Sequence, residues 1–492
     1  MALSRQNVAQ ANFNLTPRGV CSSPSTLSFF IYHVSEQPLS GAATIFRKLR
    51  APEYIATATD NLKEWYLRPT YCRDEILTDQ DGGIRGGTLL ALIELLTTHE
   101  YRDPIFIKTF FLTYKSFTNL NELFDLLVAR FNIQAPESLD PYELEEWICV
   151  KQTVVRFHVI NSFKTIVTNS EEFHKDDFYI LERMKDFCVS PDAVKLRASK
   201  HLLDLIERAQ AGGDSLVQMT AVSSLAPTPP IQPKVSRFLN LQSLEVDALE
   251  MARQLTILES RFYNKIRAAE CLKRALEPNR VGEHHDHIAD VIQVSNMITC
   301  WVANTVLQQK DSRRRARTAK HFILIADHCR TLNNFSTMVA IMSCLNSPPI
   351  RRLKRTWDHF DSKCMSQLGT CEMNLDSSNN FCNYRSTLAK INPPCIPFIG
   401  VYLIDLAIIQ NGSKDYLQPD VINFGKLQKT AEVVHEIKHW QSTKFNLTPI
   451  PVVLDFIEES LASFHDARDW NEYFWNMSLE RESDAIGQEN ET

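Results

Sequence analysis

The sequence predicts an all-α protein built from two helical domains, and three observations carry that prediction. Only 14 glycines occur in 492 residues. Apolar residues recur over long stretches at the 3.6-residue period of a helix with one buried face. Alternating β-branched runs, the mark of half-buried strands, are scarce. Hydrophobic residues make up 44% of the chain, enough to bury a sizeable core in each domain.

The elements follow in order. Residues 1–74 read as mostly flexible: the first sixty are rich in Ser, Thr, Asn, Gln and Pro and show no sustained period. The apolar run Leu27–Val34 is far too short to span a bilayer. Residues 75–210 read as the first helical domain. There Gly82-Gly83-Ile84-Arg85-Gly86-Gly87 reads as a turn, with Thr88 capping a helix from Leu89 to Thr98. Asp103-Pro104 opens a second helix, Asn119 or Asn121 caps a third through Phe131, and Pro141 opens a fourth that runs through Trp147 and Val155 to Val167. Further helical periods occupy roughly 176–209.

Residues 211–239 read as a linker, because Gly212-Gly213 and the proline cluster 226–233 cannot continue a helix. Helical periodicity resumes over 240–480, the second domain, punctuated by Pro348-Pro349, Pro393-Pro394 and Pro449-Ile450-Pro451. An acidic tail, 481–492, closes the chain.

Several chemistries find little support. The glycines at 82–87 lack the Lys-Ser/Thr of a phosphate loop and follow no apolar strand. Glu283-His284-His285-Asp286-His287 packs three histidines into four positions, but consecutive helical residues point in different directions and cannot converge on one ion. No metal and no cofactor is expected. Twelve scattered cysteines without a Cys-x-x-Cys pair read as reduced thiols in a cytoplasmic protein. A net charge of −6 gives no reason to expect a nucleic-acid partner. The run Arg313-Arg314-Arg315-Ala316-Arg317 reads as a solvated face, with docking to an acidic protein surface as its alternative. No hydrolytic nucleophile with an activating context is visible, so covalent catalysis is not expected.

The helix over Asn423–Gln441 stands out. Leu427, Ala431, Val434 and Ile437 form an apolar stripe, while Lys429, Glu432, Val433, Glu436 and Trp440 form an opposite one. A row of carboxylates mixed with a valine and a tryptophan suits insertion into a partner better than plain solvation.

Five segments then occur in a familiar order: Ala252–Glu259 (ARQLTILE), Leu332–Phe335 (LNNF), Leu345–Pro348 (LNSP), Ile391–Leu403 (INPPCIPFIGVYL) and Ile422–Phe424 (INF). Together they resemble the catalytic domain of Ras-family guanine-nucleotide exchange factors of the son-of-sevenless type. Gly86–Thr97, with Phe106–Phe117, is similar to the N-terminal domain that accompanies it. The resemblance implies that a helical hairpin wedges between the switch segments of a small GTPase of Ras, Rap or Ral type, releasing GDP without covalent chemistry. Glu436 would stand beside the phosphate and magnesium site, with Val433, Glu432 and Lys429 on the same stripe. Arg315 would meet the second switch, Phe424 and Tyr402 would line a pocket for one of its aromatics, and Phe381 would be a further GTPase-binding residue. The first domain would hold the hairpin in place. No membrane span is expected, and peripheral recruitment to the inner face of a membrane would bring the chain to its partner. An exchange-inactive scaffold that docks the GTPase is the alternative.

Overall fold

The computed structural model describes residues 64–72, 74–169, 178–210, 228–231, 245–276, 285–465 and 470–482. The expectations for residues 1–63, for most of the 211–239 linker, for Glu283 and His284 and for the tail beyond residue 482 lie outside these. The protein is all-α with a two-domain architecture.

The first group of helices comprises α1 (Leu89–Leu96), α2 (Pro104–Thr113), α3 (Leu120–Phe131), α4 (Pro141–Trp147), α5 (Thr153–Thr168), α6 (Tyr179–Cys188) and α7 (Arg197–Gln210). Their starts obey local chemistry. Thr88, Asp103 and Asn119 each accept a backbone N–H of the following turn, and Asp140 with Glu143 forms a reciprocal cap ahead of Pro141. The expected single helix from Pro141 to Val167 is interrupted by a wide turn at Ile148–Gln152. That turn aims the buried Lys151 at the carbonyls of Tyr66 and Arg68, 3.3 and 2.6 Å away. The leading segment is thereby tied to the domain.

The second group comprises α8 (Ala248–Tyr263), α9 (Ala268–Leu276), α10 (His287–Leu307), α11 (Ser312–Thr331), α12 (Phe335–Leu345), α13 (Pro348–Arg351), α14 (Lys354–Trp357), α15 (Ser362–Met373), α16 (Cys382–Leu388), α17 (Ile399–Gly412), α18 (Phe424–His439), α19 (Pro451–Ala462) and α20 (Trp470–Arg481). Asp286 caps α10, while His285 and His287 pair with Asp290 and Glu270. Every described cysteine is a free thiol.

A second expectation is corrected. Residues 84–87 are not part of a turn: Ile84–Gly87 is a strand, β2, antiparallel to β1 (Ile76–Thr78). The turn is made by Gly82, at φ 79°. Two short strands of the second domain, β3 (Tyr416–Gln418) and β4 (Val421–Ile422), complete a sheet of order β1-β2-β4-β3. A Cβ on Gly86 would stand 2.7 Å from the carbonyl oxygen of Ile422. The glycine is therefore needed for close approach of two strands that lie more than 300 residues apart in sequence.

Two apolar cores result. One is made by α8–α20. The other is made by α1–α3 and α5–α7 but also takes in Ile422, Phe424 and Leu427, from β4 and the first turn of α18. The start of α18 thus belongs physically to the first domain's interior.

Candidate functional site

Helix α18 packs antiparallel against α17, with β3 and β4 in the connection, so the two form a helical hairpin. Of the expected apolar stripe, Val434 and Ile437 are buried in the second domain's core and Leu427 in the first's, with Ala431 buried between them along the helix. The far end of α18 is anchored by Tyr263, whose hydroxyl donates to the Ile437 carbonyl at 3.1 Å. Gln441 donates to the carbonyls of Tyr263 and Ile266 at 2.8 and 3.1 Å.

The outward row survives in part. Lys429 and Glu432 are exposed, while Val433 and Glu436 are half-buried at the surface. The Glu436 carboxylate is held from below. Tyr402 donates its hydroxyl to Oε1 at 3.1 Å and itself accepts the Trp440 indole N–H at 2.8 Å. Oε2 accepts no hydrogen bond from the described residues. Burial raises the pKa of Glu436, opposed by the Tyr402 hydrogen bond and by nearby Arg385. That arginine is clamped by Asp405 through two 2.8 Å contacts. Desolvation raises Glu432 as well, with Lys429 pulling the other way. The arrangement presents an apolar group and two carboxylates that bind protons more readily than free ones.

Five residues expected to face a partner are buried in the free chain. Trp440 is buried and serves Tyr402. Tyr402 is likewise buried, because its ring fills the core while its hydroxyl supports Glu436. Phe424 stacks on Phe106 in the first domain's core, centroids 4.7 Å apart. Phe381 is buried beside Phe398, at φ 58° just before α16. Arg315 is 1% exposed. Its guanidinium donates to the Thr356 hydroxyl and to the carbonyls of Gln309 and Lys310 at 2.7–3.0 Å, with Glu482 3.9 Å away. It ties α11 to α14 and is closed off from solvent. The exposed members of that basic run are Arg313, Arg314 and Arg317.

Two family models match the chain. The RasGEF domain covers residues 250–428 and the RasGEF N-terminal motif covers 83–187. The chain carries a RasGEF domain preceded by its N-terminal motif. Cell division control protein 25 of Candida albicans is 34% identical over 432 residues, 87% of this chain and 32% of that protein. Ras guanine nucleotide exchange factor Y of Dictyostelium discoideum is 30% identical over 411 residues, 76% of this chain and 27% of that protein. Guanine nucleotide exchange factor SDC25 of Saccharomyces cerevisiae is 30% identical over 442 residues, 83% and 35% respectively. The chain thus spans about a third of the length of the curated relatives it matches.

The RasGEF match takes in α17 and stops at residue 428, inside α18. The outward row begins one residue later. The RasGEF N-terminal motif takes in β2 and Phe106, the groups that grip the start of α18. Sequence reasoning missed one residue of this RasGEF hairpin. Lys426 is 3% exposed, but a lysine between Gly425 and Leu427 carries no mark that separates it from the exposed Lys429.

Proposed function

We propose that the chain promotes GDP release from a Ras-family small GTPase, through docking of the outward row of α18 between the GTPase's switch segments. The observation that carries this reading is a carboxylate, Glu436, held at the surface by Tyr402, with one oxygen unbonded among the described residues and the apolar Val433 beside it. A negative charge there competes with phosphate oxygens and perturbs a magnesium ion's surroundings. Val433 supplies bulk where the ion would sit, and Lys429 and Glu432 make the flanking contacts. No covalent bond changes. By linkage, a factor that prefers the nucleotide-free GTPase weakens nucleotide binding by the same ratio. Each tenfold gain in release rate requires about 1.4 kcal/mol of barrier reduction from protein–protein contacts.

In this reading residues 75–210 hold the hairpin and 240–480 carry the exchange face, with 211–239 between them. Among the described residues no helix is long and apolar enough to cross a membrane. Action on a lipid-anchored GTPase then calls for peripheral recruitment from the cytoplasm. The test is release of fluorescent GDP from purified Ras, Rap and Ral proteins by the full chain. Acceleration with one of them supports the proposal and names the substrate type. Binding to a nucleotide-free GTPase with no change in rate supports the docking scaffold instead.

A further inference from the structure

The hairpin contains a buried charge that neither the outward row nor the core explains. Lys426, in the first turn of α18, is 3% exposed. Its ammonium donates to Asp415 Oδ1 at 2.7 Å, to Gln410 Oε1 at 3.0 Å and to the Gln410 carbonyl at 3.5 Å. Three acceptors match the three protons of the group. Gln410 lies near the end of α17 and Asp415 in the connection, so one side chain ties three successive parts of the hairpin together. Asn423 reinforces the knot. Its side chain accepts the Lys426 N–H at 3.1 Å and donates to the Lys414 carbonyl at 2.8 Å, and its N–H donates to the Asp415 carbonyl at 2.8 Å.

We propose that Lys426 is a positioning residue for nucleotide exchange: its contacts with Gln410 and Asp415 fix the angle of α18 against α17, and so the line along which Lys429, Glu432, Val433 and Glu436 meet the GTPase. The inference rests on the exchange function proposed above. Desolvating an ammonium is costly, and an apolar side chain of the same length would fill the space without that cost. What the lysine adds is directionality, because an ammonium with three fixed acceptors allows one arrangement where a methionine allows many.

The lever arm makes the effect large. The far end of α18 is pinned at Ile437 by Tyr263. From Ile437 to Lys429 is about 12 Å of helix, so a tilt of about 5° released at Lys426 moves the near end of the row by roughly 1 Å. Displacements of that size cost up to about 100-fold in rate when groups must meet in one geometry.

The experiment measures GDP release by the full chain as a function of GTPase concentration. Lys426→Met is expected to lower the maximal rate about tenfold, and Lys426→Arg to recover most of it. Asp415→Asn, at an exposed turn, is expected to give an intermediate loss. The double variant Lys426→Met/Asp415→Asn should lose no more than Lys426→Met alone. Ile457→Val in α19, which packs on α8 and α10, controls for stability: an equal fall in Tm should leave the maximal rate unchanged. A wild-type maximal rate in Lys426→Met, or independent addition of the Lys426 and Asp415 effects, overturns the inference while leaving the exchange function standing. A wild-type chain that releases GDP from no GTPase overturns the function itself, and the inference with it.

Discussion

Arg315, at the start of α11, and Glu436, on α18, are both charged, and both lie on helices whose sequence suggests a contact face. The structure treats them differently. Arg315 directs its hydrogen bonds into the protein's own interior, to Thr356, Gln309 and Lys310. Among the described residues, Glu436 receives one hydrogen bond, from beneath, and its second oxygen receives none. The same division runs along α18 itself. Its first turn, with Phe424, Lys426 and Leu427, is buried, whereas Lys429 and Glu432 on the next turns are exposed. The contrast teaches that burial behind internal bonds, more than charge or helical position, separates a group that holds the fold from one that can act on a partner. A charge whose bonds are all internal has little to exchange with a visitor, while a supported but unsaturated one gains on binding.

The comparison can be broken most forcefully at Phe424. If the start of α18 belongs to the first domain's core, Phe424→Ala removes about 3–5 kcal/mol of stability. Urea unfolding measures this, and a loss below about 1 kcal/mol would mean that Phe424 is not a core residue.

A second interior charge sharpens the contrast through pH. Glu259 on α8 is buried, and that burial pushes its pKa up to about 7, against the hydroxyls of Thr337 and Ser336 that donate to it. Its folded-state pKa lies above its unfolded one. The associated stability is therefore fully present below about pH 4.5 and is lost as pH rises to about 7, by roughly 3 kcal/mol over that window. Glu259→Gln should flatten this part of the stability–pH curve. An unchanged slope in the variant would remove Glu259 as its source.

Tyr402→Phe should cost about 1 kcal/mol of stability, the value of an ordinary hydrogen bond. It also removes the contact that favours ionised Glu436, so the carboxylate holds its proton to higher pH. Exchange should then fail at a higher pH than in the wild type as the medium is acidified, and an unshifted acid limb would separate Tyr402 from Glu436. The smallest effect on stability is expected at the exposed end of the row. Lys429→Ala should change unfolding by less than about 0.5 kcal/mol while measurably slowing exchange.

Much of the fold was legible in the sequence because caps and apolar periods are local. Thr88, Asp103, Asn119 and Pro141 mark helix starts by chemistry that acts within four residues. Strand β2 was not legible. Gly86 and Gly87 carry no side chain that could show a period, and their strand pairs with Ile422, far along the chain. The outward row was half legible. Spacing put Lys429, Glu432, Val433 and Glu436 on one stripe, but it could not show that Trp440, on the same stripe, turns into the core to serve Tyr402. Nor could it show that the first domain covers Phe424, since a helical period reports a buried face without saying what buries it. Arg315 looked like its neighbours Arg313 and Arg314. Only the packing of α14 against α11 sets it apart.

The central claim is that the outward row of α18 displaces GDP. The most direct measurement compares release of fluorescent GDP from a responsive GTPase by the wild-type chain and by the Glu436→Ala/Val433→Arg double variant. Far-ultraviolet circular dichroism and thermal unfolding are recorded alongside. The account predicts at least a roughly 100-fold loss of rate enhancement, equivalent to about 2.7 kcal/mol, in a variant that remains folded. A folded double variant with full exchange activity would contradict it.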